Sequence, residues 1–290
     1  MDKISEKAYA KLNISLDVGA SREDGYHEMC MIMQSVYFCD DIALTLRTDG
    51  AFGVAINLPY VPCDDRNIAV KAAQAFFAHI GEPQLGVDMK ITKRIPVCAG
   101  LGGGSSDAAA VLRALNTLTG SALSQIDLEA LGETLGSDVP FCVAGGTALA
   151  TGRGEILTEL PDFPDCSIVI CKPRFSVSTP QLFSRLDSLQ LRYRPDTTGL
   201  VQCIKEQNLK CAAQRIFNVF EEVLPSGLDQ VNEIKNSFIE NGACGAAMTG
   251  TGSAVFGVFE DMSCAKNAAH EISRRYKDTF ITMPHRKIKI

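Results

Sequence analysis

The sequence has no C-x-x-C pair, and its four histidines, His27, His79, His270 and His285, lie far apart. Without clustered thiolates or imidazoles a zinc site has little support. No uninterrupted apolar run approaches about 18 residues, which argues against a membrane-spanning helix. The first residues, Met-Asp-Lys-Ile-Ser-Glu-Lys, are charged where a signal peptide needs an apolar stretch, so a cytoplasmic protein with no membrane partner is expected. Positive charge is in short supply: 28 Lys and Arg stand against 34 Asp and Glu, a net charge of −6. That excludes a general nucleic-acid surface, and any anionic ligand has to be held by local charge. Low-complexity tracts and fixed-period repeats are also missing.

Eleven cysteines are present, but they are scattered, odd in number and mostly set in apolar strings. They read as buried reduced thiols. The 290 residues, 46% of them hydrophobic, suffice for two domains. Glycine-rich segments at Gly145-Gly146 and Gly152-Arg153-Gly154 lead to Pro161 and Pro164, which divides the chain into residues 1–160 and 161–290.

The most informative stretch is Ile95 to Leu115. Glycines at 100, 102, 103 and 104 lead into Ser105, Ser106 and Asp107, and Ala108, Val111, Leu112 and Leu115 then recur with helical spacing. Glycines let successive backbone N–H groups turn to one point, and the first turn of a helix leaves more of them unpaired, so the junction predicts an anion cradle. It is not a P-loop, because no lysine follows Gly104, and not a dinucleotide fingerprint, because the third glycine position is Ser105.

Around it the patterns alternate between strand and helix. Residues 8–16 place Ala8, Ala10, Leu12, Ile14 and Leu16 on one face and Tyr9, Lys11, Asn13 and Ser15 on the other, a half-buried strand. Residues 31–46 and 52–56 extend a sheet, a helix starts after Asn67, and Val87, Met89 and Ile91 form the strand feeding the glycine loop. A helix over 126–135 ends at Gly136-Ser137-Asp138-Val139-Pro140-Phe141. Beyond Ser167 the order is strand, loop, helical patterns over 200–223 and 228–241, a strand–turn–strand over 244–259 with Thr249-Gly-Thr-Gly-Ser253 at the turn, a helix, and a last strand near 279–282. The second domain is read as α+β.

Three blocks, Ala10-Lys11-Leu12-Asn13, Pro96 through Asp107, and Thr249 through Ser253, resemble in type and order the motifs of the GHMP kinase superfamily, small-molecule kinases with a glycine-rich loop in place of a P-loop. Asp24-Gly25-Tyr26-His27 and Gly136 through Phe141 are similar to one branch, whose small-molecule substrate is a methylerythritol carried on cytidine diphosphate. The resemblance implies an α+β, two-domain fold, with an N-terminal domain like the second domain of ribosomal protein S5, a ferredoxin-like C-terminal domain and the active site between them. It implies phosphorylation by ATP of the 2-hydroxyl of the methylerythritol unit, a step of non-mevalonate isoprenoid biosynthesis.

Carried over by position, the catalytic pair is Lys11 and Asp138: Asp138 to take the hydroxyl proton, Lys11 to stabilise the developing charge. ATP is expected on Pro96, Gly100, Leu101, Gly102, Gly103, Gly104, Ser105 and Ser106, with Asn67 and Lys93 beside adenine. Mg²⁺ is expected with the phosphates and no protein ligand to it is assigned. For the substrate, Tyr26 and Phe183 would flank the pyrimidine and His27 read its edge. Asn13 and Asp138 would contact the methylerythritol or diphosphate portion, and Thr179, Pro180, Thr251, Gly252 and Ser253 would close the site. Ser178 departs from the family's Pro-Thr-Pro-x-x-Phe at its first proline. A monomer or homodimer is expected. Two rivals stay open: another kinase of the superfamily, acting on homoserine, mevalonate or a sugar, against which Asp-Gly-Tyr-His speaks, and a non-catalytic metabolite sensor, against which the intact Lys11 and Asp138 speak.

Overall fold

A computed structural model describes residues 2–189 and 191–288. In chain order the elements are β1 (Lys3–Ser21), β2 (His27–Arg47), β3 (Phe52–Ile56), α1 (Ile68–His79), β4 (Gly86–Thr92), α2 (Gly103–Thr119), α3 (Gln125–Glu133), α4 (Val139–Ala144), β5 (Thr147–Thr151) and β6 (Ile156–Glu159). The second half continues with β7 (Ser167–Lys172), α5 (Thr179–Ser188), α6 (Thr197–Lys205), α7 (Leu209–Ala213), β8 (Phe217–Asn218), α8 (Leu228–Glu240), β9 (Gly245–Met248), β10 (Val255–Phe259), α9 (Met262–Ser273) and β11 (Asp278–Thr282).

The first sheet runs β3-β4-β2-β1-β8, with β5 paired to one stretch of β2 and β6 paired to β5. Its spine is the antiparallel β1–β2 hairpin, whose register shifts between Tyr9 and Lys11 and again between Asn13 and Ser15. Bulges of this kind re-aim side chains and release backbone groups from the ladder. Here they free the Lys11 N–H to donate to the Leu101 carbonyl at 3.0 Å and the Asn13 N–H to donate to Thr249 Oγ1 at 2.9 Å. The strand read as half-buried is buried on both faces, since Lys11, Asn13 and Ser15 are as enclosed as Leu12 and Ile14.

Helix α2 lies against β1 and α1. Almost its whole circumference is buried, from Ser106 and Asp107 through Leu115, which marks it as a central helix and not a surface one. The second sheet has order β11-β7-β10-β9, all antiparallel. Relabelled by chain position that is 4-1-3-2, the ferredoxin-like arrangement, with the helices α8 and α9 following the right strands to cover it.

Three further readings from the sequence change. The segment Val139–Ala144, where the sequence shows only the end of the preceding helix, is a helix of its own, α4, headed by Asp138 with Pro140 in its first turn, where a missing N–H costs nothing. The helical pattern over 200–223 is α6, α7, the short β8 and a 3₁₀ turn. The side chains of Asn208 and Asn218 each accept a backbone N–H, at Cys211 and Phe220, and restart the chain. β8 also returns to the first sheet, parallel to β1 at Ser15 and Leu16. Finally, Cys203 and Cys211 on the packed α6–α7 pair are joined as a disulfide with Cα atoms 5.6 Å apart, whereas the other nine cysteines are free. No helix among the described residues is long and apolar enough to cross a membrane.

Candidate active site

The glycine loop reaches α2 through Gly102, which has φ +68° and caps the helix with no side chain. The first helical bond runs from the Ser106 N–H to the Gly102 carbonyl at 2.8 Å, so the N–H groups of Gly103, Gly104 and Ser105 have no partner within the helix. They face a cavity of about 400 Å³ that is walled also by Pro96, Asn67 and Arg66. A helix N-terminus with free N–H groups at the mouth of such a cavity suits a polyphosphate.

The second glycine loop is stitched to the first. The Ala254 N–H donates to the Ala99 carbonyl at 3.1 Å, and a Cβ at Gly100 would run into the Thr249 carbonyl. On the other side of this seam lies a second cavity of about 250 Å³, lined by Lys11, Asn13, Asp138, Thr179, Phe183 and Thr251 among others. Gly100 and Gly102 border both cavities.

At the seam Lys11 Nζ lies 3.3 Å from Asp138 Oδ2 and donates to Asn13 Oδ1 at 2.6 Å. The lysine is almost wholly buried, whereas about a third of the aspartate side chain, 32%, is open to the cavity. A buried lysine head needs such partners, and the exposed carboxylate edge is free to meet a hydroxyl. Asn13 is held in turn by Met31, whose sulfur accepts from Nδ2 at 3.2 Å.

Behind Phe183, which lines this cavity, the His27 ring packs at 4.9 Å and its Nε2 is 2.7 Å from Asp187 Oδ1 on α5. Tyr26, 54% exposed, lies under the guanidinium of Arg153, another residue of the lining, at 5.3 Å. Thr179 donates to Thr251 at 3.1 Å, joining α5 to the second glycine loop.

Several expected residues are used differently. Ser106 is buried and donates its hydroxyl to the Tyr9 carbonyl at 2.6 Å, so it fixes α2 on β1 instead of facing phosphate. Ser253 is buried and donates to the Phe175 carbonyl, and Gly252 is packed against Met248, so of this loop Gly250 and Thr251 line the cavity. Pro180 opens the first turn of α5 and is absent from the lining. Leu101 contributes its carbonyl to Lys11 from a buried position. Asn67 lies on the loop cavity, but its side chain caps α1 by accepting the Ala69 N–H and donates to the Pro62 carbonyl.

Lys93 is the largest change. Its ammonium is buried between Asp40 and Asp107, at 2.5 and 2.6 Å, so only its stem can border a base. Asp40 also accepts the N–H groups of Arg94 and Ile95, so this cluster ties β2, the end of β4 and the first turn of α2 beneath the loop. Burial, with Asp40 adding to it, pushes the Asp107 carboxyl up to about 7 despite Lys93. The folded state therefore holds a proton that the unfolded chain releases near 3.8. Between these two values the native state binds more protons, so this group's contribution to stability falls as pH rises and is lost above about 7. Asp107→Asn is expected to flatten that part of the stability curve in urea titrations from pH 5 to about 8. A variant that keeps the wild-type slope would show that Asp107 is not the group responsible.

Sequence reasoning missed Arg153, Gly250 and Met31. Gly152-Arg153-Gly154 was visible only as turn chemistry, and nothing local says that the turn hangs over Tyr26.

A central glycine loop, a capless helix and a cleft against a ferredoxin-like domain define a small-molecule kinase of the GHMP type. The model of the GHMP kinases N terminal domain matches residues 67–146 and that of the GHMP kinases C terminal domain residues 200–278. The 4-diphosphocytidyl-2-C-methyl-D-erythritol kinase of Acetivibrio thermocellus is 43% identical over 282 residues, 97% of this chain and 99% of the relative. That of Alkaliphilus oremlandii is 42% identical, with 98% of each covered. A solved structure of 4-(cytidine 5'-diphospho)-2C-methyl-D-erythritol kinase superposes with a TM-score of 0.81 at 30% identity, covering 97% of this chain and 99% of that one. The chain belongs to this family of GHMP kinases. Homoserine kinase from Cytophaga hutchinsonii, at 18% identity and a TM-score of 0.77 over 99% of this chain and 96% of that one, shares the fold.

Proposed function

We propose that the chain transfers the γ-phosphoryl group of ATP to the 2-hydroxyl of 4-diphosphocytidyl-2-C-methyl-D-erythritol, giving the 2-phosphate and ADP. Near-full-length relatives of that name support the substrate. The observation that carries the chemistry is the Lys11–Asp138 pair, set where the two cavities meet at Gly100 and Gly102.

In this reading the phosphates lie on the N–H groups of Gly103, Gly104 and Ser105, and the nucleotide fills the loop cavity. The acceptor hydroxyl enters from the other cavity and rests against the open edge of Asp138, which holds it in line and takes its proton as the bond to phosphorus forms. Lys11, buried and anchored by Asn13, stabilises the charge on the acceptor oxygen and the transferring group. His27, Phe183 and Tyr26 take the cytidine end, an aromatic and hydrogen-bonding set suited to a flat heterocycle.

Magnesium bound with ATP would neutralise phosphate charge. Among the described residues no group of three or more His, Cys, Asp or Glu could cage it, and Asp40 and Asp107 are tied to Lys93. The Ser105 hydroxyl, on the wall of the loop cavity, would offer such an ion an oxygen beside those of the phosphates.

The cytidine end is tested by thermal shift. CDP at about 100 times its Kd should stabilise by about 2.7 kcal/mol, a rise of several degrees, whereas homoserine and mevalonate should leave the midpoint where it was. Stabilisation by either small alcohol and none by CDP would refute the substrate assignment.

A further inference from the structure

After β11 the chain does not end on the second sheet but crosses back over the first domain. The Tyr37 N–H donates to the Met283 carbonyl at 3.0 Å, Val36 bridges Pro284, and the His285 N–H donates to the Ser35 carbonyl at 2.7 Å. Gln34, whose oxygen accepts from Thr147, donates to the His285 carbonyl at 2.9 Å. The segment then bridges Gly145 through Lys287, and the Ile288 N–H donates to the Ala144 carbonyl at 2.9 Å.

These contacts fall on β2, the strand paired with the β1 stretch that carries Lys11, and on the end of α4, the helix that Asp138 heads. Ser35 is the residue registered opposite Lys11 across the hairpin, next to the bulge that releases Lys11 toward the loop. Ala144 and Gly145 end α4, the helix that Asp138 begins. Between them the His285 ring stacks on Tyr9 with centroids 3.8 Å apart and packs edge-on to Tyr37 at 4.5 Å. The Tyr9 carbonyl in turn holds Ser106 in the first turns of α2. Burial holds the imidazole below the ordinary histidine range, so it meets the tyrosines as a neutral flat ring.

From this arrangement we infer that residues 283–288 are a strap that sets the spacing of Lys11 and Asp138, with His285 as the positioning residue at its centre. A tail that merely adds stability would need no such pairing of targets. The bulge at Lys11 and the six-residue helix below Asp138 are short elements, and a displacement of about 1 Å between reacting groups costs up to about a hundredfold in rate. The stack supplies shape and area, which an aromatic ring of similar size can replace.

The inference rests on the catalytic reading of Lys11 and Asp138, and the test separates the two. Steady-state kinetics with ATP and 4-diphosphocytidyl-2-C-methyl-D-erythritol are measured on the full chain, on His285→Ala and on His285→Phe. His285→Ala should lose about tenfold or more in kcat with both KM values within about twofold, and His285→Phe should recover most of the loss. Unchanged kcat in His285→Ala, a loss confined to KM, or a loss that phenylalanine does not repair would overturn the strap while leaving the catalytic pair in place. Should His285→Ala not fold, a chain ending at Lys287 gives up the bond to Ala144, and its kcat should fall severalfold. Wild-type kcat in that chain would equally overturn the proposal. Absence of turnover in the wild-type chain would instead defeat the functional reading itself.

Discussion

Asp138→Asn is expected to lower kcat by about 10²- to 10⁴-fold while ATP affinity and the fold persist. The amide cannot take the hydroxyl proton, and its neutral oxygen no longer opposes the Lys11 charge across 3.3 Å. Lys11 keeps its bond to Asn13 at 2.6 Å, so the ammonium is not stranded and thermal unfolding should move by only a few degrees. The diagnostic pattern is loss of kcat with little change in the KM for ATP, because the carboxylate acts on the acceptor side of the seam. A variant that retained most of its kcat would assign the proton to water or to the substrate and leave Asp138 a structural partner of Lys11.

Gly100→Ala is the second large effect, and it arises from backbone. Gly100 has φ +76°, and a Cβ there would enter the Thr249 carbonyl and approach Gly252 N at 3.2 Å. The left-handed conformation costs an alanine about 1–2 kcal/mol and overpacking about 1–3 kcal/mol more, because neither obstacle is a side chain that can swing away. Relief comes only by parting the two glycine loops, which widens the seam between the cavities. The expectation is a destabilisation of about 2–5 kcal/mol in denaturant titration together with a fall in kcat/KM of at least about a hundredfold. Gly120 is the control: it has φ +68° at the end of α2 but nothing within 4 Å of its Cβ position. Gly120→Ala should therefore show the conformational cost alone, with kinetics unchanged. Equal kinetic damage in both variants would mean that loop contact is not what matters at Gly100.

Much of this site was legible in the residues. Glycines at 100, 102, 103 and 104 ahead of an apolar helical period could serve few purposes other than an anion cradle, and the structure leaves the α2 N-terminus without a side-chain cap. The alternation of residues 8–16 gave the strand, but a period of two carries no information about bulges, and it is the register shift after Tyr9 that releases Lys11 toward the loop. Residue type also misled where a group had a partner distant in sequence. Ser106, Ser253 and Lys93 all look like phosphate or base ligands, yet each is claimed by the Tyr9 carbonyl, the Phe175 carbonyl or two aspartates. Such claims depend on contacts spanning from 14 to 97 residues of sequence, which local patterns do not encode. Asn208 and Asn218 were the missed local signals, since an Asx side chain that can cap the next turn argues against one continuous helix.

The most direct measurement is ADP release by the purified chain with ATP and Mg²⁺, run with 4-diphosphocytidyl-2-C-methyl-D-erythritol and, side by side, with homoserine and mevalonate. ADP release that depends on the cytidine-bearing substrate and is absent with the small alcohols is the predicted result. Silence with that substrate and turnover with a small alcohol would leave the GHMP fold and its loop standing, and would contradict the assignment of Tyr26, His27 and Phe183 to a nucleotide-bearing acceptor.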